Sequence, residues 1–170
     1  LADASAVDMN MFYMSAKLYV YDSSSELGNG GTLSQNVFHH LVVQRDASHI
    51  SGYVDGTRVF HNTNSTNFNS DRAHVGVHQN GSNFFTGSIS SLRFVSGSAV
   101  YSGATLTIPF AAPLTAITNT KLLLNGTAGN ITDLSQSNSL QLLGDAKVSN
   151  NQTKFSVNTI FFDSGGGSAR

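Results

Sequence analysis

The sequence predicts an all-β protein built as an antiparallel sandwich, and three observations support this fold class. Only 11% of the 170 residues are charged, and the chain contains 16 glycines but no cysteine or tryptophan. This composition, also rich in serine, threonine and asparagine, is typical of sandwiches with many turns. Short segments alternate between apolar and polar residues with the period of two that a half-buried strand needs. Turn-forming pairs such as Asp55-Gly56 lie between these segments.

Length and charge exclude several classes of protein. A chain of 170 residues suits one domain, which would bury roughly 70% of the surface that its unfolded chain exposes. The formal net charge of −1 provides no basic footprint for nucleic acid or for a membrane surface. No apolar run approaches the ~18–20 residues of a membrane span, and without cysteine there are no disulfides or thiolate metal sites. We therefore expect neither nucleic acid nor a membrane as a partner.

The first predicted strands are Asn10–Met14 and Ala16–Asp22. In the second strand, alternation places Leu18 and Val20 on one face and the tyrosines that follow them on the other. The glycine-rich stretch Ser23–Leu33 is predicted to be a loop.

The stretch Val37–Val59 predicts a hairpin followed by a third strand. Its first strand, Val37–Arg45, is apolar on both faces, which is typical of a central strand in a sheet. The second strand, His49–Val54, alternates and ends at Asp55-Gly56, a pair that supplies the positive φ angles of a tight turn. Thr57–Phe60 should therefore fold straight back as the third strand.

The middle of the chain predicts a polar loop and two further strands. The loop is His61–Arg72, and the alternating segment Ala73–His78 follows it. In Phe85–Val95 the alternation slips by one residue at Ser90-Ser91. A β-bulge there would return three apolar side chains of this strand to the core: Ile89, Leu92 and Phe94.

The last third of the chain predicts four more strands or strand fragments. They lie in Lys121–Asn125, the turn-rich Gly126–Ser139, Leu140–Ser149 and Thr159–Asp163.

Several of these stretches resemble the laminin-G/concanavalin-like jelly rolls. HHLVVQRD and GYVDGTRV resemble the central hairpin of such domains, and GSISSLRF resembles their bulged strand. The following SGSAVYSGATLTIPFAAPL resembles the exit sequence of these domains in tail and accessory structural proteins of tailed bacteriophages, especially marine ones. Ile108–Phe110 departs from the Phe-x-Pro-Pro that is more usual there. The matching positions are Gly97, Ala99, Tyr101, Pro109, Pro113 and Leu114.

The resemblance, which covers about Met14–Asp163, implies an unusual order of parts. Lys121–Asp163 resembles the opening strands of such a jelly roll, although it follows the closing strands. We therefore expect residues 1–112 to be the closing two-thirds of one sandwich, 113–120 a linker, and 121–170 the opening strands of a second or a permuted sandwich. In the tandem case, Lys121–Asp163 should make few contacts with the sheet built from Tyr19, Leu41, Val54 and Phe94.

The resemblance also implies a function. It favours a non-enzymatic structural or adhesion module of a phage virion, in a tail fibre, a tail-associated protein or a decoration protein. Its partners would be other virion proteins, copies of itself, and host-surface glycans. The alternative is a secreted or cell-surface bacterial carbohydrate-binding or adhesin module of the same fold.

Catalysis is not expected. Glycoside hydrolysis needs two carboxylates that flank a cleft, whereas Glu26 is the only glutamate and no acidic cluster lies on one strand. The G-x-S-x-G motif of α/β-hydrolases is also absent from the sequence.

The strand alternation predicts which side chains form the core and which point away from it. The predicted core is Leu18, Val20, Leu41, Val43, Ile50, Val54, Val75, Val77, Ile89, Leu92 and Phe94. The other faces would carry rings beside hydroxyl and amide groups, on which sugar rings stack. These candidate glycan-binding residues are Tyr19, Tyr21, His49, Tyr53, His74 and His78. The alternative is that a neighbouring domain, loop or subunit covers them.

The histidine spacing does not predict a shared metal ion. His39 and His40 are strand neighbours and point to opposite faces. His74 and His78 would lie roughly 13 Å apart along a strand, too far for bonds of ~2.0–2.1 Å to one ion. The resemblance leaves calcium as the one ion to consider, although no D-x-D-x-D spacing supports it, and no other cofactor is expected. The candidate carboxylates are Asp46, Asp55, Asp71 and Asp133.

Overall fold

The regular secondary structure is entirely β in the residues that the structure describes. The structure, a computed structural model, describes residues 8–69, 73–78, 81–108, 112–127, 129–136, 138–155, 157–163 and 168–169. Every strand pair in these residues is antiparallel, which confirms the predicted all-β antiparallel fold class. Among the described residues, no helix is long and apolar enough to cross a membrane. The strands are β1 Asn10–Met14, β2 Lys17–Tyr21, β3 Glu26–Gly30, β4 Leu41–Arg45, β5 His49–Val54, β6 Thr57–Thr63, β7 Gly87–Ile89, β8 Ser91–Val95, β9 Thr120–Thr127, β10 Asn130–Asp133, β11 Leu142–Leu143, β12 Lys147–Lys154, β13 Val157–Phe162 and β14 Ser168–Ala169.

The chain divides into two compact units, each made of two separate stretches. Unit 1 comprises Leu1–Asp71 and Ser98–Ile108, and unit 2 comprises Arg72–Gly97 and Pro109–Arg170. These units describe which parts of the chain contact each other. The assignment of residues 121–170 to a second or a permuted sandwich stays a prediction.

Unit 1 is a sandwich of two three-stranded sheets. One sheet has the order β1-β2-β3 and the other the order β4-β5-β6. Apolar residues of both sheets form one core between them, because alternate residues of each strand point inward. The buried members of this core are Leu18, Val20, Leu33, Ile50 and Val54, with Leu41 and Val43 partly buried against it.

The structure corrects two strand predictions in unit 1. The predicted loop Ser23–Leu33 contains strand β3. Strand β4 starts at Leu41 and lies at the edge of its sheet, not at the centre. It is apolar on both faces even so, because the segment around Tyr101 and Gly103 lies over the outer face of this sheet, before Thr105 forms a bridge with Thr57 of β6. There Gln44 donates to the carbonyl of Tyr101 (2.7 Å) and accepts from its N–H (3.0 Å).

Unit 2 is built around a six-stranded sheet. Its strands follow the order β10-β9-β13-β12, with β7 paired to β13 and β8 paired to β9. A two-stranded sheet, β11-β14, accompanies it. The buried members of its core are Val75, Leu122, Leu124, Ile131, Ala146, Ile160 and Phe162, with Ile89, Leu92, Leu140 and Val148 packed against them.

The alternation predicted to slip in Phe85–Val95 does so because the chain changes its pairing partner there. The strand breaks at Ser90, so that Ile89 pairs with Ile160 of β13 while β8 pairs with β9. Ile89 and Leu92 pack against the core as predicted, but Phe94 is 47% exposed, and its assignment to the core is wrong.

Two further expectations in unit 2 are also wrong. Ala73–His78 forms only an isolated bridge at Val75, although Val75 itself is buried as predicted. Phe94 pairs with Leu122, so its strand lies in the sheet of unit 2 and not in one sheet with Tyr19, Leu41 and Val54, as was predicted. Leu41 packs in the core of unit 1.

Candidate functional site

The outer face of the β1-β2-β3 sheet carries a grid of aromatic and polar side chains. Leu18 and Val20 of β2 are 0% exposed in the core, so Tyr19 and Tyr21 point outward. Strand register places one residue of β1 and one of β3 beside each tyrosine. We call this group the aromatic face: Phe12, Tyr19 and Asn29 in one row, and Asn10, Tyr21 and Glu26 in the next.

The three rings of the aromatic face contact each other. The Tyr19 and Tyr21 rings are stacked, with centroids 6.4 Å apart and planes 20° apart. Phe12 meets Tyr21 edge-on, at 6.0 Å and 71°. All three rings are half-buried. Each ring therefore keeps part of its surface in solvent while its neighbours restrict its rotation.

Polar groups border these rings. The Tyr21 hydroxyl donates to one carboxylate oxygen of Glu26 (3.3 Å), and the Asn29 amide donates to the other (2.5 Å). Desolvation by burial raises the pKa of Tyr21, and the negative charge of Glu26 and its hydrogen bond raise it further. The face thus combines stacking rings with a fixed acceptor and an amide, the groups that orient a polyhydroxylated ligand.

Tyr53 cannot belong to such a surface, which corrects its assignment as a sugar contact. Its side chain points away from the core of unit 1, as the alternation predicted, but it is only 1% exposed. The segment around Gly103 covers it, and its hydroxyl donates to the carbonyl of Gly103 (3.0 Å). Covering by a loop was the alternative that the sequence left open.

The predicted sugar contacts in unit 1 do not form one surface. His49 lies on the outer face of the β4-β5-β6 sheet, on the opposite side of the unit 1 core from Tyr19 and Tyr21. His74 and His78 belong to unit 2, where both are half-buried. Among those in unit 1, the structure brings together only Tyr19 and Tyr21.

The carboxylates suggested for calcium are far apart in unit 1 and already hydrogen-bonded. Asp46 accepts two backbone N–H groups at the start of β5, and these bonds lower its pKa. Asp55 follows the end of β5, roughly 20 Å along the strand. Its carboxylate accepts the His40 N–H (2.9 Å) and lies 2.7 Å from Nδ1 of His39.

The third carboxylate, Asp133 in unit 2, stabilises a turn. It accepts hydrogen bonds from the backbone of Leu123 and from both backbone and side chain of Ser135 and Asn138. Burial alone would raise its pKa, but these bonds outweigh that effect and hold it well below the usual range. Asp71 lies outside the described residues. Within the described part of the chain, no three histidine or acidic residues gather as metal ligands.

The sequence pattern did not reveal four residues of the aromatic face: Asn10, Phe12, Glu26 and Asn29. A signal for Phe12 existed, because a two-residue turn at Ser15-Ala16 places it opposite Tyr19. Both turn residues have positive φ, 50° and 58°, a conformation that usually selects Asn-Gly. Glu26 and Asn29 were hidden in the stretch predicted to be a loop.

Comparison with known families agrees with this architecture. A laminin G-type family model, described as the concanavalin A-like lectin/glucanases superfamily, matches residues 8–100. The match covers more than half of the chain, which therefore belongs to this family. Domains of the laminin G type are generally non-enzymatic binding modules, although the superfamily includes glucanases. Neither the curated proteins nor the solved structures yielded a match.

Proposed function

We propose that this chain is a non-enzymatic glycan-binding module that serves adhesion on a bacteriophage virion. The observation that carries the glycan part is the aromatic face, with three contacting rings beside a carboxylate and an amide. Membership of a family of lectins and glucanases supports a carbohydrate as the ligand.

The chemistry of the face indicates how a sugar would bind. The C–H face of a pyranose ring stacks on Tyr19 or Tyr21. Glu26 then accepts hydrogen bonds from sugar hydroxyls, and the Asn29 amide can exchange its bond to Glu26 for one to the sugar. A sheet surface buries less of a ligand than a cleft does, so a single site binds weakly. Many copies on one particle would raise the overall affinity without new contacts.

The virion assignment rests on the exit sequence of the sandwich, Gly97–Leu114, which resembles that of phage tail and accessory proteins. A tail fibre, a tail-associated protein and a decoration protein all fit this resemblance. The alternative is a secreted or cell-surface bacterial module of the same fold. A mass-spectrometric inventory of purified phage particles separates the two, because a virion protein is present in the particles and a secreted module is absent from them.

The glycan assignment is tested on an array. The chain is displayed as a multimer and screened against bacterial surface glycans, together with Tyr19→Ala and Tyr21→Ala. Both variants should lose about tenfold or more of the wild-type signal, since stacking aromatic residues dominate such sites, while their circular dichroism spectra stay unchanged. Tyr13→Ala is the matched control, because Tyr13 lies on β1, is 47% exposed and points to the other face of the sheet.

Two outcomes contradict the glycan assignment. A blank array for the wild-type chain would leave a purely structural module, in which a neighbouring subunit covers the aromatic face. Equal losses in Tyr13→Ala and Tyr21→Ala would show that the effect is not specific to this face.

A further inference from the structure

Two stacked histidine rings lie on the outer face of the β4-β5-β6 sheet. His49 on β5 and His61 on β6 have ring centroids 4.3 Å apart and planes 15° apart. His61 is exposed, and the His49 side chain is 37% exposed. Solutes can therefore reach both imidazoles from the same side.

A β-bulge is what brings the two rings together. Val54 pairs with Thr57 next to the turn, but the register shifts by one residue between Gly52 and Tyr53. As a result Ser51 pairs with His61, and His61 lies diagonally next to His49 on the same face. Without the extra residue that the bulge inserts into β6, His61 would pair with Ile50 and point toward the core.

Each ring has a hydroxyl group on its Nδ1 atom. Ser48 Oγ lies 3.0 Å from Nδ1 of His49, and Ser51 Oγ lies 2.8 Å from Nδ1 of His61. A neutral imidazole that donates its Nδ1–H to a hydroxyl oxygen keeps its lone pair on Nε2. Neither Nε2 atom has a hydrogen-bond partner within the described residues. Metal-binding histidines have this arrangement, with an outer partner that holds the ring and sets its tautomer.

We propose that His49 and His61 bind one borderline transition-metal ion, such as Zn²⁺, through their Nε2 atoms. Imidazole nitrogen is a preferred ligand of zinc, copper and nickel, whereas calcium selects oxygen. Two nitrogens bonded to one tetrahedral Zn²⁺ at ~2.0–2.1 Å are roughly 3.3 Å apart. From the stacked arrangement, the two rings must tilt toward each other at their Nε2 edges so that both lone pairs meet at the ion.

The ion would join β5 and β6 at the open end of their hairpin, where His49 pairs with the last residue of β6, Thr63. That end is far from the Asp55-Gly56 turn, so nothing covalent limits its opening. An ion that binds only the folded state stabilises it in proportion to its occupancy. Binding should therefore raise the melting temperature as well as appear in a titration.

The test is calorimetric titration of the untagged chain with ZnCl₂. We expect one ion per chain, with affinity reduced at least about tenfold in His61→Ala and in His49→Gln, because each removes one of two protein ligands. Ser51→Ala should weaken binding by ~10–100-fold, as loss of an outer partner does elsewhere. His78→Ala, in unit 2, is the matched control and should bind as the wild type does.

Thermal unfolding gives a second readout. Excess Zn²⁺ should raise the wild-type melting temperature by several degrees and leave that of His61→Ala unchanged. Wild-type affinity in His61→Ala, or no binding of Zn²⁺, Ni²⁺ or Cu²⁺ by the wild type at millimolar concentration, would overturn the proposal. These outcomes are independent of the glycan array, since the aromatic face and the histidine pair lie on opposite outer faces of unit 1.

Discussion

The ring of Phe60 packs against two glycines of unit 1, one on each sheet. A Cβ atom added at Gly52 of β5 would lie 2.1 Å from Cε1 of Phe60. One added at Gly28 of β3 would lie 2.5 Å from its Cδ2. Neither glycine has a positive φ. Both positions therefore require glycine because of the space that the ring occupies, not because of backbone conformation.

Gly52→Ala should destabilise unit 1 by about 2 kcal/mol. Alanine gains ~0.4–1 kcal/mol by restricting the unfolded chain. Overpacking costs ~1–3 kcal/mol. The cost here should lie at the upper end of this range, because the Phe60 ring already packs against Gly28 and cannot move toward β3. The net loss is smaller than the ~3–5 kcal/mol of deleting a buried aromatic ring, so the variant should still fold.

A double-mutant cycle with Phe60→Leu isolates the clash. Urea denaturation followed by circular dichroism gives the free energy of unfolding of the wild type, both single variants and the double variant. Leucine lacks the ring atoms nearest to Gly52, so the double variant should lose at least ~1 kcal/mol less than the sum of the singles. Additive losses, or a neutral Gly52→Ala, would refute the packing of Phe60 between the two sheets.

Two other variants test the structural carboxylate and the core. Asp133→Asn should lower the stability of unit 2 by about 1–3 kcal/mol at pH 7, because an amide nitrogen then faces hydrogen-bond donors. The depressed pKa of Asp133 means that its contribution is present above about pH 4 and is lost as the pH falls through the folded-state pKa. The loss in Asp133→Asn, measured by urea denaturation, should therefore shrink on acidification; a constant loss would contradict this. Ile50→Ala, at a fully buried position, should cost ~2–5 kcal/mol in the same assay, and more than Leu41→Ala on the edge strand. The reverse order would contradict the strand order β4-β5-β6.

Much of the fold could be predicted because short-range patterns specify it. The alternation in β2 and β5 correctly placed Leu18, Val20, Ile50 and Val54 in the core. The Asp55-Gly56 turn was recognisable, since both residues adopt the positive φ angles that this pair favours.

The errors arise where side chains distant in sequence decide the local structure. Strand β3 was missed because its glycines suggest a loop, whereas Gly28 makes room for Phe60. The bulge that moves His61 to the outer face depends on packing that periodicity does not encode. Tyr53 faces outward as predicted, yet a segment about 50 residues later in the chain covers it. Alternation predicts the face of a sheet on which a side chain lies, but not whether that face is open.

The most direct test of the glycan assignment is an NMR titration of the isotope-labelled chain with the best oligosaccharide from the array. Sugar binding at the aromatic face predicts that the ring signals of Phe12, Tyr19 and Tyr21 and the Asn29 amide shift together along one binding curve. The signals of Tyr13 and Tyr53 should stay in place. Shifts that cluster elsewhere, with the aromatic face unchanged at saturation, would contradict the assignment.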